Sequence, residues 1–226
     1  MLNTVTRWPN GFTNSQPGSA LGDLKVPNPT TYFSLFDDFL KYTATDWSIV
    51  ESDPSATEAL ASGPNGQLQI TNSNGLGDYV NMKWSGGTGS PLYVFPLGGT
   101  KDTIFGVRFY TEEPLTSGIS FSLTSSDGQN GFVLDKPGSS NDITASVVAD
   151  NNAYDSDPVT LSDGYNEAVI VYTAEDGKAT FYLNGAAYSM PFSAPSGLGT
   201  VGLTLSNVNA ASHFVVIDWV LAAVAR

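Results

Sequence analysis

No apolar repeat at helical spacing runs longer than about two turns in this sequence. Short β-like runs recur instead, each bounded by Gly, Asn, Asp, Ser or Pro. The expected strands are Tyr32–Phe36, Gly66–Thr71, Asp78–Trp84, Leu92–Leu97, Thr103–Thr111, Gly118–Ser125 and Gly131–Asp135. They continue with Asp142–Val148, Ala168–Thr173, Ala179–Leu183, Ala186–Phe192, Thr200–Ser206 and Phe214–Val224. In several, alternation separates two faces. Phe105, Val107 and Phe109 point one way, and Ile104, Gly106, Arg108 and Tyr110 the other. Ile119, Phe121 and Leu123 form one apolar face, and Ala179, Phe181 and Leu183 another. Asp176-Gly177 between two strands signals a hairpin. Phe36–Tyr42 is the one helical candidate, and it could equally begin a strand. More than ten short strands with frequent turns point to an all-β sandwich or jelly roll.

Residues 1–30 follow a different rule. Pro9, Pro17, Pro27 and Pro29 fix extended geometry, and no period is sustained. Yet Leu2, Val5, Trp8, Phe12, Leu21, Leu24 and Val26 make the stretch too apolar for a solvated linker. It reads as an extended arm at 1–30 that needs a surface to lie on, its own domain or another subunit. The sandwich domain is expected at 31–226. A chain of 226 residues can bury roughly 70% of its unfolded surface as one domain, so it stands without staples.

Composition excludes several function classes. With no Cys and one His, disulfide scaffolds and structural zinc sites are ruled out. Nine Lys and Arg against 22 Asp and Glu give a net charge of −13, which opposes a nucleic-acid phosphate backbone. No stretch approaches the roughly 18 apolar residues of a membrane span, and the start lacks the layout of a signal peptide.

Candidate chemistry is sparse. Glu51, Asp53 and Glu58 resemble the paired acids of β-sandwich glycosidases, but Glu58 has the wrong parity to share one strand face with the other two. A polar loop is the simpler reading. Asp37, Asp38 and Asp218 stand beside large aromatics, where acids are usually hydrogen-bonded structural groups. His213 has no Gly-x-Ser-x-Gly elbow to serve. Asp127–Asn130 and Asp150–Asp157 are oxygen-rich, but neither has the spacing of a calcium loop. Ser85–Ser90 is glycine-rich without the lysine and helix of a phosphate loop. Trp8, Trp47, Trp84, Trp219 and Tyr154 could stack on sugar rings if exposed. No metal and no cofactor is expected.

Phe36-Asp-Asp-Phe39, Asp46-Trp47 and Phe214-Val-Val-Ile-Asp-Trp-Val220 form a pattern together with Asp102–Phe109 and Gly177–Gly185. The set resembles the concanavalin A-like (laminin G-like) jelly rolls found in structural proteins of tailed bacteriophages. The leader Arg7–Asn14, with Pro27-Asn-Pro29, is similar to leaders of such proteins. The resemblance implies a concanavalin A-like β-sandwich whose first and last strands pair, bringing Phe36–Phe39 near Ile217–Trp219. It implies no enzyme, because the acids of hydrolases with this fold do not match positions here. The leading functional expectation is a decoration (cement) protein on the outer surface of a phage head. Its partner would be the major capsid protein, with Trp8, Phe12, Leu21 and Leu24 as anchors. A homo-oligomer, dimer or trimer, is expected with it. The alternative is a carbohydrate-binding module of a tail fibre or other host-recognition structure, and a glycoside hydrolase or lyase is third.

Overall fold

The computed structural model describes residues 32–61, 66–73, 78–111, 117–190, 199–209 and 213–226. Among them the chain runs through β1 (Tyr32–Asp37), β2 (Trp47–Glu51), β3 (Thr57–Leu60), β4 (Leu68–Thr71), β5 (Asp78–Trp84) and β6 (Phe95–Leu97). Next come β7 (Thr103–Thr111), β8 (Ser117–Ser125), β9 (Gly131–Lys136), β10 (Asp142–Ala149), β11 (Asn152–Asp155) and β12 (Val159–Thr160). The last five are β13 (Asn166–Thr173), β14 (Lys178–Leu183), β15 (Ala186–Ser189), β16 (Gly199–Asn209) and β17 (Phe214–Ala225). A single 3-10 turn, Ala44–Asp46, precedes β2.

Two antiparallel sheets form a sandwich. Sheet A has the order β15-β14-β13-β7-β17-β4-β3, and sheet B the order β11-β10-β9-β8-β16-β5-β2. In sheet A, β17 pairs along one side with β7. Its other side is shared by β4, at Phe214–Ile217, and β1, at Val220–Ala225. First and last strands therefore pair as the resemblance implied, and the Phe36 and Trp219 rings lie 6.4 Å apart.

Period-two alternation builds the core. Phe105, Val107 and Phe109 of sheet A and Ile119, Phe121 and Leu123 of sheet B are buried between the layers. Phe109 and Phe121 meet across the interior at 5.2 Å between ring centroids and 56° between planes. Asn207 is a buried polar group among them, and it joins the layers: its Nδ2 donates from β16 to the Ile70 carbonyl of β4 at 3.0 Å.

Hairpin chemistry follows the sequence. Asn184 and Gly185 take φ of 50° and 82° in the β14–β15 turn, and Asp150 and Asn151 take 50° and 64° between β10 and β11, the left-handed pairs that tight hairpins demand. Gly177, at φ 60°, closes the β13–β14 turn. The helical candidate at 36–42 is no helix: Phe36 and Asp37 end β1. Asp37 Oδ1 accepts from the Phe39 N–H at 2.8 Å. That bond steadies Phe39 at a φ of 48°, where a bulky side chain seldom sits.

Four strands escape the sequence reading: β2, β3, β11 and β12. All lie away from the middle of their sheets. Such strands bury one side at most, and the Glu and Ala of β3 are poor strand formers. The polar-loop reading of Glu51 and Glu58 is accordingly corrected: Glu51 ends β2 and Glu58 lies in β3.

Candidate functional site

The outer face of sheet B is a floor of small polar side chains. One row across β10, β9, β8, β16, β5 and β2 reads Ser146, Val133, Ser122, Thr204, Lys83 and Ser48. The next row reads Thr144, Asp135, Ser120, Ser206, Asn81 and Val50. Six strands at about 4.8 Å spacing make this floor about 24 Å wide. Most of its hydroxyls are half-buried. Ser206 Oγ donates to Asn81 Oδ1 at 2.6 Å, which orients that amide. Burial holds the Asp135 carboxyl above the usual range, against a hydrogen bond from Ser120 and the charge of Lys136. The floor offers donors and acceptors with little apolar bulk, a surface suited to a polyhydroxylated ligand.

A second constellation lies where the two sheets end side by side. Glu51 terminates β2, the edge of sheet B, and Glu58 sits on β3, the edge of sheet A. Their cross-strand partners, Val80 and Ile70, are core residues, so both side chains leave from the core-facing side of their edge strands, Glu51 exposed at the rim and Glu58 half-buried. Glu58 Oε2 is buried without a hydrogen-bond partner. Burial first, and then the neighbouring Glu51 carboxyl, push Glu58 up to about 7. Burial and the same two acids also raise the Tyr42 phenol. Asp53 turns away to its own loop, accepting from Ser55 N–H at 2.8 Å and Ser55 Oγ at 2.6 Å.

A third feature is a β-bulge. The β7–β17 register slips between Ile217 and Trp219, leaving Asp218 as the extra residue. Its carboxylate pairs with Arg108 of β7 and accepts from Gln67 Nε2 at 3.5 Å. The Arg108 guanidinium lies over the Tyr165 ring at 4.9 Å, and Tyr165 packs against Tyr110 at 5.8 Å.

The remaining sequence candidates resolve into structural roles. Trp47 stacks on Phe39 at 6.2 Å and is buried, as is Trp219. Neither is available to a sugar, which corrects the stacking expectation for both. Trp84 is half-buried beside Phe95, and Tyr154 is half-buried on β11. Asp218 is a buried, paired acid, as expected of its aromatic surroundings. His213 lends its backbone carbonyl to Asn72 N–H at 3.1 Å and to Asn207 at 3.3 Å. The glycine-rich loop is tied back to the 3-10 turn, with Ser85 N–H and Gly86 N–H both donating to the Asp46 carbonyl. Asp127 accepts from Ser125 Oγ at 2.6 Å and Gln129 N–H at 3.0 Å, which closes its own turn. No group of three or more His, Cys, Asp or Glu able to share a cation occurs among the described residues. Trp8, Phe12, Leu21 and Leu24 lie outside the described residues. Sequence reasoning missed the serine and threonine floor, although its signal was present as the polar half of each alternating strand. It also missed Lys136, which faces inward on β9 and is lowered to about 8 by burial, Asp135 opposing.

No family model matches this chain, and no curated protein sequence does. Solved structures do. The carbohydrate recognition domain of Emp47p superposes with a TM-score of 0.60 at 10% identity, covering 87% of this chain and 98% of that one. Basic winged bean lectin with Tn-antigen gives 0.57 at 11% identity, covering 86% and 99%. Peanut lectin with a nine-residue peptide gives 0.54 at 9% identity, covering 85% and 97%. Identities this low speak to the fold alone: the chain has the concanavalin A-like jelly-roll fold of these lectins.

Proposed function

We propose that this protein is a carbohydrate-binding jelly-roll module without enzymatic activity. The observation that carries the reading is the two-row floor on the outer face of sheet B, eight of whose twelve positions are Ser, Thr or Asn. Sugar hydroxyls are matched by fixed, closely spaced hydroxyl and amide groups, and small side chains leave room for the rings. The likeness to lectins and to a carbohydrate recognition domain supports the same reading. A net charge of −13 repels acidic polysaccharides, so the favoured ligand is a neutral glycan. The test is a glycan array followed by calorimetric titration of the best binder. Saturable binding that disappears in the Ser122→Leu/Thr204→Leu variant, with its unfolding temperature unchanged, supports the floor as the site. Binding that survives there but is lost in Trp84→Ala moves the site to the glycine-rich loop. No binding to any glycan by the unaltered protein sinks the reading.

A second reading is a head decoration protein of a tailed phage, held on the major capsid protein by residues 1–30. The resemblance and the apolar character of that stretch favour it. Its measurement is copy number in purified particles: a simple ratio to the capsid protein supports it, and absence of the chain removes it.

A further inference from the structure

The two faces of sheet A are both apolar. Beyond the core, a second cluster on the outer side comprises Ile104, Val169, Trp219, Leu221 and Ala223, with Phe36 packed against it. The bulge at Asp218 creates it by switching parity along β17. Before the bulge Val215 and Ile217 face the core. After it Val220, Ala222 and Val224 do, which turns Trp219, Leu221 and Ala223 outward. Every described strand belongs to one of the two sheets, so none lies over this face. Yet Trp219, its tallest side chain, is 6% exposed and Leu221 is 0% exposed. Side chains on the outside of a two-layer sandwich stay that dry when a further layer closes over them.

We propose that residues 1–31 of the same chain form that layer, lying across the outer face of sheet A. Connectivity selects this segment. The stretches 74–77, 112–116, 191–198 and 210–212 each pass from a strand of one sheet to a strand of the other, and 62–65 joins neighbouring strands of one sheet. Residues 1–31 alone carry no such duty. They enter the sheet at Tyr32, and β1 brings Tyr32 and Phe36 against the cluster. Reach is ample. At about 3.3 Å per residue, 31 residues extend to about 100 Å, whereas β1 to β14 spans four strand spacings, about 19 Å. Chemistry fits as well. Trp8, Phe12, Leu21 and Leu24 supply apolar surface, and prolines suit a layer that pairs with no sheet edge. Arg7, Lys25 and Asp23 give the segment a charge of +1, so the remainder carries −14. The inference concerns the opposite face from the glycan floor and stands or falls independently of it.

The absence of cysteine makes the test direct. Ala223→Cys places a thiol within the cluster, and Ser122→Cys places one on the outer face of sheet B as an open reference. Maleimide labelling is followed in the full-length chain, alone and with Trp8→Asp/Phe12→Asp. Expected is labelling at position 223 about ten-fold or more slower than at position 122, rising toward the reference rate in the Trp8→Asp/Phe12→Asp background as the layer opens locally. Three results overturn the proposal. Fast labelling at position 223 in the otherwise unaltered chain means no layer is present. Protection unchanged by Trp8→Asp/Phe12→Asp means other residues close the face. Protection that falls on dilution means a second copy covers it.

Discussion

Arg108 and Asp218 form their ion pair at the point where the β7–β17 ladder slips register. The carboxylate is the residue the bulge adds, so the pair and the parity switch are one feature. Deleting Asp218 restores a regular ladder with the faces unchanged, because its neighbours Ile217 and Trp219 already pair with the consecutive β7 residues Phe109 and Arg108. Trp219, Leu221 and Ala223 stay outward, and Val220, Ala222 and Val224 stay on the core side. The expected result is a variant that still unfolds cooperatively by circular dichroism. Asp218→Ala keeps the extra residue and costs about 1–2 kcal/mol, because Arg108 is partly exposed and water compensates it. If the deletion loses cooperative unfolding while the substitution keeps it, the strand does not close over the missing residue in the present register.

Glu58 predicts a pH dependence. Its folded-state value is about 7, above the ordinary 4.5. A raised folded-state value means the native state holds the proton more tightly than the unfolded chain. The stabilisation is full below about pH 4.5 and is lost as pH rises through 7. Glu58 is partly exposed, so screening limits the effect to about 1 kcal/mol. Glu58→Gln keeps a hydrogen-bonding group without the titration. Thermal midpoints measured from pH 5 to 8 should decline less in this variant than in the unaltered protein. Equal slopes would mean that Glu58 does not hold its proton more tightly in the folded state.

These features differ in how readable they were. Phe105, Val107 and Phe109, or Ile119, Phe121 and Leu123, declare their faces because alternation is a local property. The turn at Asn184-Gly185 is equally local. β17 was harder. Its near-continuous apolar run, Phe214–Ala225, fits a strand but hides where parity changes, and Asp218 looked like one more buried acid. The approach of Glu51 to Glu58 was illegible for a different reason. The two lie on separate sheets, and sequence parity along one strand says nothing about edges that meet across a sandwich. The hydroxyl floor needed the whole order of sheet B, since Ser122 and Thr204 become neighbours only when β8 and β16 pair.

Asn207 supplies a test of how the sheets are joined. It is fully buried on β16, and its amide donates to the Ile70 carbonyl at 3.0 Å and the His213 carbonyl at 3.3 Å. Asn207→Ala leaves buried carbonyls without those donors and opens a small cavity. A cost of about 2–3 kcal/mol is expected in urea unfolding. The shared core, with Phe109 against Phe121, still joins the two layers, so both should unfold in one transition. A loss below about 0.5 kcal/mol would mean that water replaces the amide without penalty.

Gly128 and Gly131 flank the same β8–β9 connection and separate two causes of glycine dependence. Gly128 has φ of 72°, and a Cβ there would meet nothing within 4 Å. Gly131 has φ of 144°, and its Cβ would stand 2.2 Å from the Leu123 carbonyl oxygen and 2.7 Å from the Thr124 Cα. Gly128→Ala therefore bears only the conformational term, about 1–2 kcal/mol. Gly131→Ala adds a clash with backbone held in the β8–β9 ladder, which neither residue can relieve by changing rotamer. It should cost at least about 3 kcal/mol, seen as a fall in urea midpoint with the slope unchanged. Equal losses in the two variants would mean that the ladder moves apart at Thr124, and that positive φ alone sets the requirement for glycine.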